Sequence, residues 1–299
     1  MIISASRRTD IPAFYSEWFF NRIKEGYLLV RNPMNIHQVS KIDLSPEVVD
    51  CIAFWTKNPQ PVLSRMSELS KYKFYFQFTL TSYDKSIEPN VPEKKYLIAT
   101  FKELSNMIGR ERVIWRYDPI LLTDHFSIDY HIKWFEALAE RLSGYTRKCV
   151  ISFIDLYKKT ERNLKGVNLL PLSTDIMNEI AYNFSLISAK YNIEIETCSE
   201  NIDLDKYNIK HGKCIDDELI SRITGKRINA KKDSGQRLAC GCIKSVDIGA
   251  YNTCKHNCCY CYANFSKDMV SRNIMLHNVK APLLCSELSA KDKVSIRKL

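Results

Sequence analysis

Eleven cysteines are spread unevenly along this 299-residue chain. Only Cys51 and Cys149 precede Cys198, and the densest run reads Asn252-Thr253-Cys254-Lys255-His256-Asn257-Cys258-Cys259-Tyr260-Cys261-Tyr262. Cys254, Cys258 and Cys261 have the spacing C-x3-C-x2-C. Three thiolates on one tight loop can hold three irons of a [4Fe–4S] cluster. The fourth iron then lacks a protein ligand and can bind a small molecule. A structural zinc ion is the other reading, although zinc usually takes four closed ligands. Cys258 and Cys259 are adjacent, and Cys258 is the one that fits the spacing. Cys259 then becomes a packed neighbour, and His256 a hydrogen-bonding one.

A second set is Cys198, Cys214, Cys240 and Cys242. Four thiolates can close another [4Fe–4S] cluster or a zinc site, and free thiols are the alternative. Cys240-Gly241-Cys242 puts two ligands on one turn, with Gly241 permitting the bend. Cys51, Cys149 and Cys285 read as core positions.

These loops need a scaffold. Short runs rich in β-branched and aromatic residues are Ile2–Ser6, Cys51–Thr56, Phe74–Leu80, Arg112–Arg116, Cys149–Ile154 and Ile193–Thr197. Several are apolar on both faces, as strands of a buried parallel sheet are. Helical periodicity falls between them, over Ala13–Lys24, Pro92–Ile108, a helix capped by Ser127, and Ser173–Tyr191. A hairpin is expected over Tyr27–Leu44. Repeated β-α order predicts an α/β fold, a parallel (β/α) TIM-like barrel, partial or closed. Residues 1–197 would form its strands and helices. Residues 198–299 would form a cysteine-rich region packed into the same domain, with a further strand in Val246–Tyr251 and a mostly helical tail.

Barrel enzymes place their sites at the C-terminal ends of strands. That puts Arg7, Arg8, Thr9, Asp10, Lys57, Asn58, Thr79, Thr81, Arg116, Asp118, Asp155 and Glu200 on one rim. The bland readings are an internal Arg116–Asp118 ion pair, surface charge at Arg7 and Arg8, and structural roles for Asp155 and Glu200.

Composition bounds the rest. With 45% hydrophobic and 26% charged residues, the chain is neither disordered nor fibrous. The net charge of +10 makes an anionic partner worth considering. No secretory signal is visible, and no run approaches the roughly 18 apolar residues a membrane span needs. A cytoplasmic protein is expected, where clustered reduced thiols favour metal over disulfides. The basic stretch Ser221–Arg237 reads as a phosphate contact or as a solvated loop. There is no P-loop and no G-x-G-x-x-G.

The run Gly249-Ala250-Tyr251-Asn252-Thr253-Cys254 through Ala263 resembles the cluster loop of the radical S-adenosylmethionine superfamily, in its spore photoproduct lyase-like branch. There a Gly-Tyr lead-in precedes Cys-x-His-x-Cys-x-Tyr-Cys-Tyr-Ala. Ser6–Pro12, Thr56-Lys57-Asn58, Phe78–Thr81 and Arg116–Ile120 resemble later segments of that branch in compatible order. The loop stands near the C-terminus here and early there, so the resemblance implies a circularly permuted barrel. The chain also resembles the uncharacterised DUF1848 family.

The resemblance implies that a cluster on Cys254, Cys258 and Cys261 cleaves S-adenosylmethionine to a 5′-deoxyadenosyl radical. Thr9, Asp10, Lys57 and Thr79 would bind that cofactor, with Arg116 and Asp118 anchoring or acting on the substrate. A reductant such as flavodoxin or ferredoxin would be a partner. The substrate would be unknown, with an anionic one, such as a nucleotide or nucleic acid, faintly favoured by charge. Arginine stands near the position of that branch's hydrogen-donating cysteine, which argues against the same DNA-lesion chemistry. The competing reading is a non-catalytic zinc or closed-cluster protein for binding or electron transfer, with a basic surface contacting nucleic acid.

Overall fold

The computed structural model describes residues 1–156 and 158–297. The strands are β1 (Ile2–Ala5), β2 (Tyr27–Asn32), β3 (Asn35–Asp43), β4 (Cys51–Thr56), β5 (Phe74–Thr79), β6 (Val113–Ile120), β7 (Lys148–Phe153), β8 (Glu194–Thr197), β9 (Lys210–His211), β10 (Val246–Asp247) and β11 (Lys293–Ile296), and the central ones, such as β4 and β5, are apolar on both faces. Eight of them make one sheet in the order β10-β1-β4-β5-β6-β7-β8-β9. Every pair in it is parallel. All strand C-termini therefore lie on one side. β2 and β3 form the expected antiparallel hairpin, and β11 runs parallel beside β3.

Alternation along each strand separates two buried faces. On one, Ile52, Phe54, Phe76, Phe78, Trp115 and Ile151 pack with helix residues such as Trp18, Phe101, Phe135 and Phe184. Each such side chain gains roughly 1.5–3 kcal/mol from burial. On the other, Ile2, Ala53, Tyr75, Ile114 and Val150 meet Ile215, Leu219, Ile220 and Ile243. That second face is thus covered by the segment after β9 and not only by strand side chains. Ile248, Leu284 and Cys285 join the first core, so residues beyond 198 share it.

The long helices are Ser16–Glu25, Lys94–Ile108, Ile128–Leu142 and Thr174–Tyr191. Ser127 and Ser173 cap the last two by accepting from Tyr130 N–H and Ile176 N–H, each worth about 1 kcal/mol.

Two expectations change, and the choice between a partial and a closed barrel is narrowed. The helix read over Ala13–Lys24 is two, Ile11–Phe14 and Ser16–Glu25. Tyr15 breaks it with φ −135°, and its hydroxyl donates to Thr253 O at 2.5 Å. The tail holds one helix, Lys267–Met275, because its next stretch is taken up elsewhere. Trp18 Nε1 donates to Ala281 O at 2.8 Å and an Arg22 guanidinium nitrogen to Lys280 O at 2.9 Å. Finally, no pairing joins β9 to β10 among the described residues, so the sheet is an open, eight-stranded parallel one. Both edge strands have two residues, and the segment carrying helix Asp217–Thr224 lies between them in sequence. No described helix is long and apolar enough to cross a membrane.

Candidate metal centre

The run after β10 begins with a fixed corner. Asp247 accepts from Ser4 Oγ at 2.8 Å, Ser6 Oγ at 2.7 Å and Arg7 N–H at 2.8 Å. That stitches β10 to β1 and ends the expected Val246–Tyr251 strand at Asp247. Gly249 follows because a Cβ there would sit 2.1 Å from Ser6 Oγ.

The cysteine loop is then held from outside. Asn264 Nδ2 donates to Cys254 O at 2.8 Å, Asn90 Nδ2 to Lys255 O at 2.8 Å, and Asn163 Nδ2 to Cys261 O at 3.3 Å. Tyr262 OH donates to Arg7 O at 2.9 Å. His256 Nε2 lies 2.9 Å from Asp10 Oδ2. The same carboxylate accepts from Lys57 N–H at 2.7 Å and, through Oδ1, from Ala13 N–H at 2.9 Å. Asp10 therefore ties the loop to the ends of β1 and β4.

Cys254, Cys258 and Cys261 line a cavity of about 1060 Å³ at the strand C-termini. Cys259 is turned away, with Sγ 3.5 Å from Ser86 O. Burial pushes all three cavity thiols above their ordinary range. A bound cation would reverse that, since coordination deprotonates a thiol outright.

Beside Cys258 sits a buried charge hub. Glu88 is 1% exposed and takes Lys57 Nζ at 2.7 Å, Lys94 Nζ at 2.7 Å and Thr81 Oγ1 at 2.7 Å. Tyr260 OH also donates to it. Burial alone would raise its carboxyl, but the two ammonium groups hold it well below the usual carboxylate range. No spacing in the sequence marks Glu88. It lies in a turn before Pro89, and only its partners show why it is there.

The other rim residues divide. Arg7, Arg8, Thr9, Asp10, Lys57, Thr79, Arg116, Asp118 and Asp155 line the cavity, whereas Asn58, Thr81 and Glu200 do not. Arg116 Nε donates to Asp118 at 2.9 Å, and Nη1 donates to Gln77 Oε1 at 3.2 Å and to Cys214 Sγ at 2.9 Å. Asp118 also accepts from Ser152 Oγ. Asp155 is bridged by Arg237. Asn58 accepts from Gln60 N–H in the turn after β4. Glu200 accepts from Phe153 N–H at 2.9 Å, and burial pushes its carboxyl up to about 7 against that bond. Gln77, Ser152 and Asp247 went unread because polar residues inside or next to apolar strands carry no pattern of their own.

Residues 2–263 match the family described as DUF1848, a domain of unknown function. The chain belongs to the DUF1848 family. No curated protein matches it significantly. A solved structure of a candidate alpha-L-fucosidase from Bacteroides thetaiotaomicron overlaps 61% of this chain and 76% of that one, at 11% identity and a TM-score of 0.27. A likeness that weak carries no argument.

Within this DUF1848 chain the cavity wall is short of partners. Among the described residues, buried polar atoms without a hydrogen bond include Arg7 Nη2, Thr9 Oγ1, Thr160 Oγ1, Ser199 Oγ, Ser245 Oγ and His256 Nδ1. All six residues line this cavity. Buried groups normally find partners, so a cluster of unpaired ones calls for a bound polar molecule or water. No three Cys, His, Asp or Glu side chains close around a single ion among the described residues. A [4Fe–4S] cluster asks for something else, one thiolate on each of its irons. Three unbonded thiols on one cavity wall suit that demand.

Proposed function

We propose that this DUF1848 chain is an iron–sulfur enzyme of the radical S-adenosylmethionine type, with a [4Fe–4S] cluster on Cys254, Cys258 and Cys261. The observation that carries it is the shared cavity. Three thiols from one C-x3-C-x2-C loop open onto the same large space as the unpaired polar atoms of Arg7 and Thr9. Held by Cys254, Cys258 and Cys261, such a cluster would, once reduced, supply the electron for reductive cleavage of S-adenosylmethionine.

The chain's own residues bind and exclude. Thr9 Oγ1 offers a free polar atom beside the loop. Lys57 is buried against Glu88, and that partner keeps it charged although burial opposes it. It can meet a carboxylate only by sharing its ammonium with Glu88. Asp10 is committed to Lys57 N–H, His256 and Ala13 N–H, so its part is to position the loop. Arg116 and Asp118 neutralise each other, leaving the Asp118 edge on the cavity as the polar contact for substrate. The pairing of β10 with β1 supports the permuted reading, because the strand that feeds the loop joins the sheet beside the first strand.

The test is electron paramagnetic resonance on dithionite-reduced protein prepared without oxygen, with and without S-adenosylmethionine. A cluster signal that shifts on addition, and is lost in Cys254→Ala, is the expected result. A cluster signal indifferent to the cofactor would end the enzymatic reading, and zinc in place of iron would end the cluster itself.

A further inference from the structure

The second cysteine set is assembled by the fold from three separate segments. Cys198 follows β8, Cys214 follows β9, and Cys240 and Cys242 flank Gly241. Cys198 Sγ lies 3.2 Å from Cys214 Sγ. Cys242 Sγ accepts from Ile215 N–H at 3.4 Å, one residue on from Cys214, and Cys240 stands two residues before Cys242. The bend at Gly241 does not use the left-handed backbone. Glycine is needed for close packing instead, since a Cβ would fall 3.0 Å from Lys213 Cγ. That approach is what brings Cys240 and Cys242 to Cys214.

Two guanidinium groups stand beside these cysteines. Arg116 Nη1 donates to Cys214 Sγ at 2.9 Å. Arg7 lies over the Trp55 ring at 5.1 Å, near Cys242 and Cys214, with Nη2 buried and without a partner. Asp118 already meets the Arg116 charge, whereas Arg7 keeps one buried nitrogen unpaired, which an anionic sulfur cluster would partner. Tyr75 OH and Gln77 Nε2 fix the Cys214 carbonyl at 2.6 and 3.1 Å, so its side chain is held by the sheet. All four cysteines line the same cavity as the first set.

We propose that Cys198, Cys214, Cys240 and Cys242 hold a second metal centre, a four-thiolate [4Fe–4S] cluster beside the unpaired Arg7 guanidinium and the Arg116 donor to Cys214. A single zinc ion would draw every sulfur to about 2.3 Å from one point. Here no three of the described side chains close around one point, which does not suit a single ion, and a cluster would part Cys198 from Cys214 to seat one thiolate per iron. The centre does not depend on the first cluster.

The experiment uses the full chain, isolated without oxygen and without added iron, so that only metal loaded in the cell is counted. Wild-type protein is expected to carry about eight irons and about eight sulfides if both sites fill, at about four for each cluster. The triple variant Cys254→Ala, Cys258→Ala, Cys261→Ala keeps about half and still gives a reduced-cluster signal. Adding Cys214→Ala removes the remainder. Four irons that all vanish in the triple variant would overturn this centre and leave the first reading standing. Four irons that all survive it would do the reverse. Zinc in the triple variant, or a Cys198–Cys214 disulfide found by alkylation and mass spectrometry, would also overturn the cluster. Should the triple variant lose its circular dichroism, Arg7→Gln in the wild-type chain decides. One of two reduction potentials should fall as positive charge is removed, and two unchanged potentials would overturn the placement.

Discussion

The two cysteine groups open onto one cavity and are built by opposite means. Cys254, Cys258 and Cys261 belong to a single loop whose backbone is gripped by Asn90, Asn163, Asn264 and Tyr15. Its sulfurs are left without hydrogen-bonded neighbours of their own kind, and the charges beside Cys258, Lys57 and Glu88, are paired with each other. Cys198, Cys214, Cys240 and Cys242 come from three segments, with the Cys198 and Cys214 sulfurs in contact and Arg116 bonded directly to Cys214. Local spacing suffices for the first group. The second exists only once β8, β9 and the segment after them are in place. A loop fixed by its backbone leaves its ligands open toward the cavity, whereas a group fixed by its sulfurs is closed on itself.

Glu88→Ala should do the most damage to the contrast. It strands Lys57 and Lys94 without their carboxylate, and breaking a buried pair costs about 3–5 kcal/mol. Urea unfolding should show that loss, with iron leaving the first group before the second. A loss below about 1 kcal/mol would mean the hub is solvated. The carboxyl is held low in the fold, so its contribution is present at neutral pH and is lost on acidification below the ordinary glutamate range.

Gly249→Ala comes next. The added methyl must displace Ser6, and overpacking typically costs about 1–3 kcal/mol. Thermal unfolding should register it, and hydrogen exchange should quicken at the β1–β10 junction while β7 and β8 stay protected.

Glu200→Gln bears on the wall near Cys198 and should be milder. The folded carboxyl titrates near 7 against an ordinary value of 4.5. The fold thus binds its proton more tightly than the unfolded chain does. Stability from this group is full below about pH 4.5 and declines as pH rises through about 7. The amide still accepts from Phe153 N–H, so the variant should gain on the order of 1 kcal/mol at pH 8 and lose the slope between. Denaturation at pH 5 and pH 8 checks the sign.

Cys259→Ser should be nearly silent, within about 0.5 kcal/mol and with unchanged iron content. Cys258→Ser, one residue away, should empty the loop. Equal effects from the two would erase the distinction between facing the cavity and facing Ser86.

Much of this was legible from residue order alone. Cys51–Thr56 reads as a strand with its true bounds because both faces are apolar, and Ser127 and Ser173 announce their helices by capping them. Misreadings arose where a distant partner overrode local preference. Tyr15 leaves a helical run to reach Thr253, and Val246–Tyr251 stops early because Asp247 is claimed by Ser4, Ser6 and Arg7. At the site, cysteine spacing is visible in one dimension. The Glu88 hub and the Arg116–Cys214 bond join residues far apart, and no local pattern encodes either.

The pairing of β10 with β1 also bears on how the chain reaches its fold. Ser4 and Asp247 are 243 positions apart. During synthesis the outer hydrogen-bonding edge of β1 is made long before its β10 partner. An open strand edge is a template for wrong partners, and pairings this remote in sequence form slowly. Synthesis halted before Val246 should therefore yield chains that stick to one another. The β10 segment would act as the molecule's own chaperone, retiring the edge as it delivers the cysteine loop.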